Sequence, residues 1–300
     1  MSPTIPLELE REILVSALER DLSNGVDLLL VARRVAEWLK PVFYETVIIH
    51  QYRRWPPQLA NASFKSEETH DLEAFKGYGY HVHNLLLSDV HDSKSVLAIL
   101  QMCPNLRNLA FLPANDHWTD KTSILNALIK APIRKLSIDL TKFEPFDLPS
   151  SSPSGLELKD FFSKITHLDI FVAFKSFAEI GAIVHFTSLS HLALVDGVSP
   201  QLIGEILRNC PNLLVLVSVA PSIVKTRLRN LGVVPDLRQD TTLDKELKDK
   251  VVAIWCARVS DWEKGVKGKD DIWALAEMTV NERKNGLTKS PRDNPDSDWY

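Results

Sequence analysis

One repeat constrains this chain more than any other feature. From residue 80 a pattern recurs: an apolar residue, two others, a leucine, one other, an apolar residue. It is met by Val82/Leu85/Leu87, Leu106/Leu109/Phe111, Ile133/Leu136/Ile138, Ile165/Leu168/Ile170 and Leu189/Leu192/Leu194. A sixth copy, Leu213/Leu216, carries Ser218 at the last position. The central leucines are 24, 27, 32, 24 and 24 residues apart, and the Pro/Ser-rich insertion from Pro145 to Gly155 accounts for the longest step. Between the triplets lie stretches of helical spacing: Val96, Leu97, Leu100 and Met102; Ile124, Leu125, Leu128 and Ile129; Leu202, Ile203, Ile206 and Leu207. Each copy therefore reads strand, turn, helix, turn. A unit this short cannot bury its apolar face alone. The copies are expected to stack into an α/β solenoid over residues 81–234, with parallel strands on one face and helices on the other.

Cys103-Pro104-Asn105-Leu106 and Cys210-Pro211-Asn212-Leu213 fall at the same phase of the repeat. Proline ends the helix there and asparagine suits the turn into the strand. The thiol is expected to pack between helix and strand rather than react.

Residues 1–49 read as compact helices leading to a short strand. Pro6 opens the first, with Leu9, Ile13, Leu14 and Leu18 at helical spacing. Ser23 suits the N-cap of a second helix carrying Leu28, Leu29 and Val31. A third runs through Val35, Trp38 and Leu39 and is expected to stop at Pro41. The β-branched run Thr46-Val47-Ile48-Ile49 reads as a strand. Residues 50–80 read as a connection: Trp55-Pro56-Pro57 breaks regular structure, a short helix fits near Leu72–Phe75, and Gly77-Tyr78-Gly79 is a turn.

Beyond Val219 the pattern changes. Leu228, Leu231 and Val233-Val234 suit one last repeat-like piece. Thr241-x-x-Asp244 resembles a capping box opening a helix with Leu243, Leu247, Val251 and Ile254 on one stripe. A second helix carries Ile272, Ala276 and Val280. Residues 235–284 are thus expected to form a helical cap, with Trp262 and Trp273 docked on the last repeat. Residues 285–300 read as a flexible tail.

Composition narrows the function. The net charge of −4 and pI near 6.2 argue against a binder that neutralises nucleic-acid phosphates. Three scattered cysteines make no disulfide framework. No run approaches the ~18 apolar residues of a membrane span, and no leader is evident, so an intracellular protein, cytoplasmic or nuclear, is expected. Phosphate-binding glycine loops, a Gly-x-Ser-x-Gly elbow and His-Glu-x-x-His are all missing from the sequence. His81-x-His83 places two imidazoles close together with no third metal ligand in sight. Asp139, Asp169 and Asp196 fall near strand ends and read as turn formers or solvated edge residues rather than an acidic patch. Arg33-Arg34 reads as a solvated helix face, and Arg53-Arg54 with Trp55 as a short basic cluster. No catalytic group, cofactor or metal is expected.

The helices from Ile5-Pro6-Leu7-Glu8-Leu9 through Leu28-Leu29-Leu30-Val31-Ala32-Arg33-Arg34-Val35-Ala36-Glu37-Trp38 resemble an F-box over roughly residues 4–45. They look most like the divergent F-box-like variant of mushroom-forming fungi. The Cys-Pro-Asn-Leu units resemble the cysteine-containing leucine-rich repeats of F-box proteins. The segment Asp261-Trp262-x-x-Gly265, then Gly268 and Asp271-x-Trp273, resembles the C-terminal part of those fungal chains. The third helix departs from the family's Cys-Arg-x-Trp. The resemblance implies a substrate receptor of an SCF-type ubiquitin ligase. Pro6, Leu9, Ile13, Leu14, Leu28, Val31 and Trp38 would contact a Skp-type adaptor, and through it a cullin scaffold. The strand face of the repeats would hold a protein substrate. Two alternatives stay open: a repeat scaffold whose helices only cap the array, and an enzyme with an unrecognised site.

Overall fold

The computed structural model describes residues 5–22, 25–50, 53–56, 73–88, 90, 93–112, 120–139, 153–170, 183, 185–195, 200–221, 247, 249–256 and 258–286. The chain divides into two compact units, Met1–Ile165 and Thr166–Tyr300. Both are α/β with parallel strands. The division falls inside the span 81–234 expected to form the repeat array.

The first unit opens with three helices, α1 (Leu7–Arg20), α2 (Gly25–Val31) and α3 (Arg33–Phe43). Leu18, Val35, Leu39 and Phe43 are buried and form their common core. Gly25 starts α2 where a side chain would strike the Phe43 ring and Leu18, so only glycine lets the backbone come this close. Pro41 does not end α3, contrary to expectation; it lies inside the helix. In the last turn it forfeits one backbone bond. Tyr44 N–H still reaches Lys40 O at 3.0 Å, and burial of Phe43 holds the turn in place.

Strand β1 (Thr46–His50) follows directly, with β2 (Arg53–Trp55) antiparallel to it. The connecting segment thus holds a strand that the reading of Trp55-Pro56-Pro57 did not anticipate. The short helix expected near Leu72–Phe75 is α4 (Glu73–Lys76), followed by a 3₁₀ turn at Gly79–His81. Then come β3 (Asn84–Leu87), α5 (Ser93–Met102), β4 (Asn108–Phe111), α6 (Lys121–Lys130), β5 (Lys135–Ile138) and α7 (Pro153–Lys164). β1, β3, β4 and β5 are parallel neighbours in that order, which requires a crossover between successive strands.

The repeat leucines lie side by side in register. Leu85 pairs with Leu109 and Leu109 with Leu136, while Leu87, Phe111 and Ile138 form the next row. All six are buried, as are Val96, Ile99, Leu100, Ile124 and Leu128 of the helices. The row begins one strand earlier than the leucine pattern suggested, since Val47 pairs with Leu85 and Ile49 with Leu87. Tyr44-x-x-Val47-x-Ile49 is the same template with valine in the leucine position.

The second unit continues the same grammar. Strands β6 (His167–Ile170), β7 (His191–Val195), β8 (Val215–Pro221) and β9 (Val251–Cys256) are parallel neighbours, with α8 (Pro200–Asn209) between β7 and β8. Leu168, Leu192, Leu216 and Val251 share one row. β9 corrects the expected helix through Val251 and Ile254. The run Val251-Val252-Ala253-Ile254-Trp255-Cys256 is rich in β-formers and finds a full strand partner in β8. The unit ends with α9 (Arg258–Val266) and α10 (Ile272–Lys284); α10 buries Ile272, Ala276 and Val280, the stripe the sequence marked.

A backbone device fixes the approach to the strands. The carbonyl before each strand accepts two N–H groups from the next: Glu45 from His83 and Asn84, His83 from Arg107 and Asn108, Arg107 from Arg134 and Lys135. In the second unit Thr166 accepts from Ser190 and His191, and Ser190 from Leu214 and Val215. The Ser23 cap, the Pro145–Ser152 part of the insertion, Asp196, the Leu228–Val234 piece, the Thr241 capping box and the tail from Leu287 onward lie outside the described residues.

Candidate partner-binding surfaces

Helix α1 divides its apolar residues between two sides. Leu18 is fully buried, with Leu14 and Val15 partly so. Leu9 is 50% exposed and Ile13 57% exposed. One turn apart, they lie on the side of α1 away from Leu18, since each residue advances the helix by about 100°. Pro6 occupies the N-cap, exposed, with its carbonyl accepting Glu10 N–H at 3.0 Å. At the C-terminal end of α2, Val31 is 67% exposed, while Leu28 and Trp38 of α3 are half-buried.

The seven residues singled out thus fall into two groups. Pro6, Leu9, Ile13 and Val31 are open to a partner; Leu14, Leu28 and Trp38 divide their surface between the helical core and solvent. Sequence reasoning missed Ile5, Leu7 and Leu30, all exposed, the last at 79%. A signal existed for Leu30: four apolar residues run together from Leu28, and a seven-residue helix cannot turn all of them inward. Arg34 reaches across to α1 and pairs with Glu10 at 2.8 Å, while Arg33 pairs within its own helix with Glu37 at 3.2 Å. Both arginines are solvated, as expected.

The second surface is the strand face opposite the leucine rows. In the first unit its leading positions are Thr46, Asn84, Asn108 and Lys135, and Asn84 Nδ2 donates to Thr46 Oγ1 at 3.2 Å. The following row is Ile48, Leu86, Ala110 and Ser137, of which the first three are buried and not open to a partner. In the second unit the leading row is His167, His191 and Val215, and the next is Asp169, Ala193 and Val217. Here α10 covers the strands. Ile272, Ala276 and Val280 pack on Ala193, Val215, Val217, Val219 and Val252.

The two imidazoles of that row stack, centroids 4.1 Å apart and planes within 2°. The Trp273 ring meets both edge-on, at 5.5 Å and 5.7 Å. His191 Nε2 lies 2.7 Å from Glu277 Oε1, and its Nδ1 lies 2.8 Å from the Ser190 hydroxyl. Trp273 therefore docks on the strands, but its ring meets β6 and β7 rather than the last repeat as expected. The segment from Asp261 to Trp273 builds the corner that presents it. Asp271 accepts Trp273 N–H and Ala274 N–H as the cap of α10, and Gly265 leaves room for that carboxylate. Trp262 is half-buried on α9.

Cys103 and Cys210 are buried, and burial pushes the thiols up to about 12 and about 11. Both stay protonated and unreactive at neutral pH. Their corners are alike: Asn105 Nδ2 donates to Tyr80 O and Asn212 Nδ2 to Thr187 O, each at 2.8 Å. A cavity of about 140 Å³ lined by Phe186, Leu189, Cys210 and Asn212 opens at the second corner.

His83 Nδ1 is 3.6 Å from the Glu45 carboxylate. The imidazole of His81 is held below its usual value by burial, then by Lys40 and His83, which disfavours a further cation there. Among the described residues no group of three or more His, Cys, Asp or Glu is arranged to hold a metal. Asp139 and Asp169 are buried, which corrects their reading as solvated edge residues; Asp169 lies within β6 on the same face as His167, not in a turn. No described helix is long and apolar enough to cross a membrane. Neither a scan of protein-family models nor a comparison with curated proteins finds a match for this chain.

Proposed function

We propose that this chain is a substrate receptor of an SCF-type ubiquitin ligase. In this reading α1–α3 are an F-box-like module, the strand–helix units are leucine-rich repeats of a solenoid, and the C-terminal segment caps it. The observation that carries the proposal is the unpartnered apolar side of α1, Leu9 and Ile13, together with Leu30 and Val31 of α2. A small helical module has little reason to leave its largest aliphatic side chains in water unless a second protein covers them. The partner is a Skp-type adaptor, joined through it to a cullin scaffold. A protein substrate would lie on the repeats. The chemistry is proximity: holding the substrate beside the transfer machinery raises the effective concentration of its lysines. No bond is made or broken by residues of this chain.

A second reading is favoured by how α3 meets β1. Phe43 lies 5.2 Å from the Trp55 ring and Tyr44 stacks on Tyr78 at 4.2 Å, ties suited to helices that simply cap the first strand. A repeat scaffold without a ubiquitin role would have this feature too. Adaptor capture separates the readings. The full chain is expected to retain a Skp-type adaptor, and Leu9→Asp with Ile13→Asp to lose it at unchanged circular dichroism and Tm. Retention by the double variant would remove the ligase reading and leave the scaffold.

A further inference from the structure

We propose that the leading edge of the first unit's strand face, where His83, Arg107, Arg134 and Lys135 stand in line, docks an acidic segment of a partner protein. This rests on the reading above, in which the strand face holds a protein substrate, and it names the chemistry of that substrate: a run of aspartate or glutamate side chains.

The backbone sets the line. The carbonyl before each strand accepts two N–H groups from the next, so Glu45, His83, Arg107 and Arg134 occupy successive steps of one edge. Neighbouring strands lie about 4.8 Å apart, so the run from His83 to Arg134 spans about 10 Å. Lys135 continues it at the end of the leading row, on the strand face itself. Deeper on that face Ile48, Leu86 and Ala110 are buried. A partner approaching the face meets this edge first, and it meets charge there rather than an apolar groove.

Three observations support an anionic occupant. The first is a shortage of counter-charge. Arg107 is exposed and Lys135 half-buried, and neither side chain makes a hydrogen bond or ion pair among the described residues. Arg134 is anchored by its Nη1, which donates to the Lys164 carbonyl at 3.1 Å. The acid of the series, Glu45, stands at the opposite end, 3.6 Å from the His83 imidazole. The second is the local field. Burial lowers the affinity of His81 for a proton, and Lys40 and His83 lower it further, so the turn leading into β3 lies in positive potential.

The third is that the fold does not ask for charge here. In the second unit Thr166, Ser190 and Leu214 take the corresponding places, and the same backbone pairing forms around them. Guanidinium groups match carboxylates in paired hydrogen bonds. Cations set one strand apart fit several singly charged carboxylates in succession, whereas a phosphate gathers its charge at one point. The whole chain carries −4, so the attraction belongs to this edge and not to the molecule at large. It is therefore short-ranged, screened over about 8 Å at physiological salt.

Fluorescence anisotropy with the full chain and a dye-labelled oligoglutamate of about eight residues tests the edge. The peptide should bind saturably at about 0.15 M salt and at least about fivefold more weakly at about 0.5 M. A Gly-Ser peptide with the same dye should not bind. Arg107→Glu with Lys135→Glu should weaken binding at least about tenfold. Circular dichroism and Tm should stay unchanged, since neither side chain is buried. Lys121→Glu with Lys130→Glu on α6 makes the same change of net charge elsewhere and should weaken binding less than about twofold. Equal weakening by the two pairs reduces the effect to net charge and overturns the proposal, as does the lack of saturable binding. A neutral peptide with one phosphoserine that binds more tightly than oligoglutamate overturns the carboxylate assignment. Dimerisation of the chain that the Arg107/Lys135 pair abolishes makes a second copy the occupant and overturns it too. Should the double glutamate variant fail to fold, Arg107→Gln with Lys135→Gln carries the same test, with a loss of at least about threefold expected. No arm involves the adaptor: the Leu9→Asp, Ile13→Asp chain should bind oligoglutamate as the wild type does, so the two readings fail separately.

Discussion

The two units solve the inner side of their sheets in the same way and the outer side differently. Inside, each aligns apolar residues in register, and each turns its helix into the next strand with Cys-Pro-Asn-Leu. The asparagine reaches a backbone carbonyl 25 residues earlier in both cases. Outside, the first unit leads with Thr46, Asn84, Asn108 and Lys135, whereas the second leads with stacked histidines under α10. The inner side follows from repeat geometry, which admits few solutions. The outer side is free to diverge.

The largest test of this equivalence is in the leucine rows. Leu109→Ala and Leu192→Ala each remove a fully buried side chain, and each should cost about 2–5 kcal/mol. The two buried thiols report the units separately in a Cys256→Ser background. Leu109→Ala is expected to speed alkylation of Cys103, and Leu192→Ala that of Cys210. If either variant speeds both equally, the two units unfold as one. Before any substitution both thiols should react slowly at pH 8, because burial raises them to about 12 and about 11. Between the ordinary thiol value of about 8.5 and those values the folded chain keeps protons that the unfolded chain has released, so stability falls as pH rises through that window.

These leucine rows were legible because period and residue type agree, and the limits of that legibility are physical. β1 was missed as a rung since the template demanded leucine where Val47 serves equally well. Val251 and Ile254 are spaced as a helix would space them, and only pairing with β8 decides for a strand. Residues 272, 276 and 280 were correctly marked as a buried stripe. Periodicity says that a face is buried, not which surface buries it, so docking on the strand face could not be read in advance. The burial of Asp139 and Asp169 depends equally on neighbours distant in sequence.

The corners come next. Asn105→Ala and Asn212→Ala each delete one amide donor, an effect of about 1 kcal/mol. Denaturant midpoints should fall by the same amount within about 0.5 kcal/mol, as expected for independent sites. Unequal losses would show that the shared tetrapeptide does not do the same work in both units. A related change should act in the opposite direction. The Tyr78 hydroxyl is buried with no partner among the described residues, and burial, then Tyr44 and Cys103, raises its pKa. Tyr78→Phe keeps the stack on Tyr44 and removes the orphaned group, so it should stabilise the first unit by about 1 kcal/mol. A drop in Tm would mean that the hydroxyl is satisfied.

The smallest effects distinguish ties at the surface from ties at a covered face. Arg34 and Glu10 join α3 to α1 in the first unit, but the guanidinium is well exposed, and solvent screens such pairs. Arg34→Ala should cost about 0.5 kcal/mol in dilute buffer and less as salt shortens the Debye length. Arg33 only reaches Glu37 within its own helix, so Arg33→Ala should cost about 0.3 kcal/mol or less. Glu277→Ala is the counterpart in the second unit. Its partner His191 is buried against the strands, so its loss should exceed that of Arg34→Ala and respond less to salt, because a buried imidazole is shielded from mobile ions. Equal losses with equal salt dependence would place the contact of α10 on the same footing as an ordinary surface pair, and the contrast between the two outer faces would then rest on the aliphatic stripe and Trp273 alone.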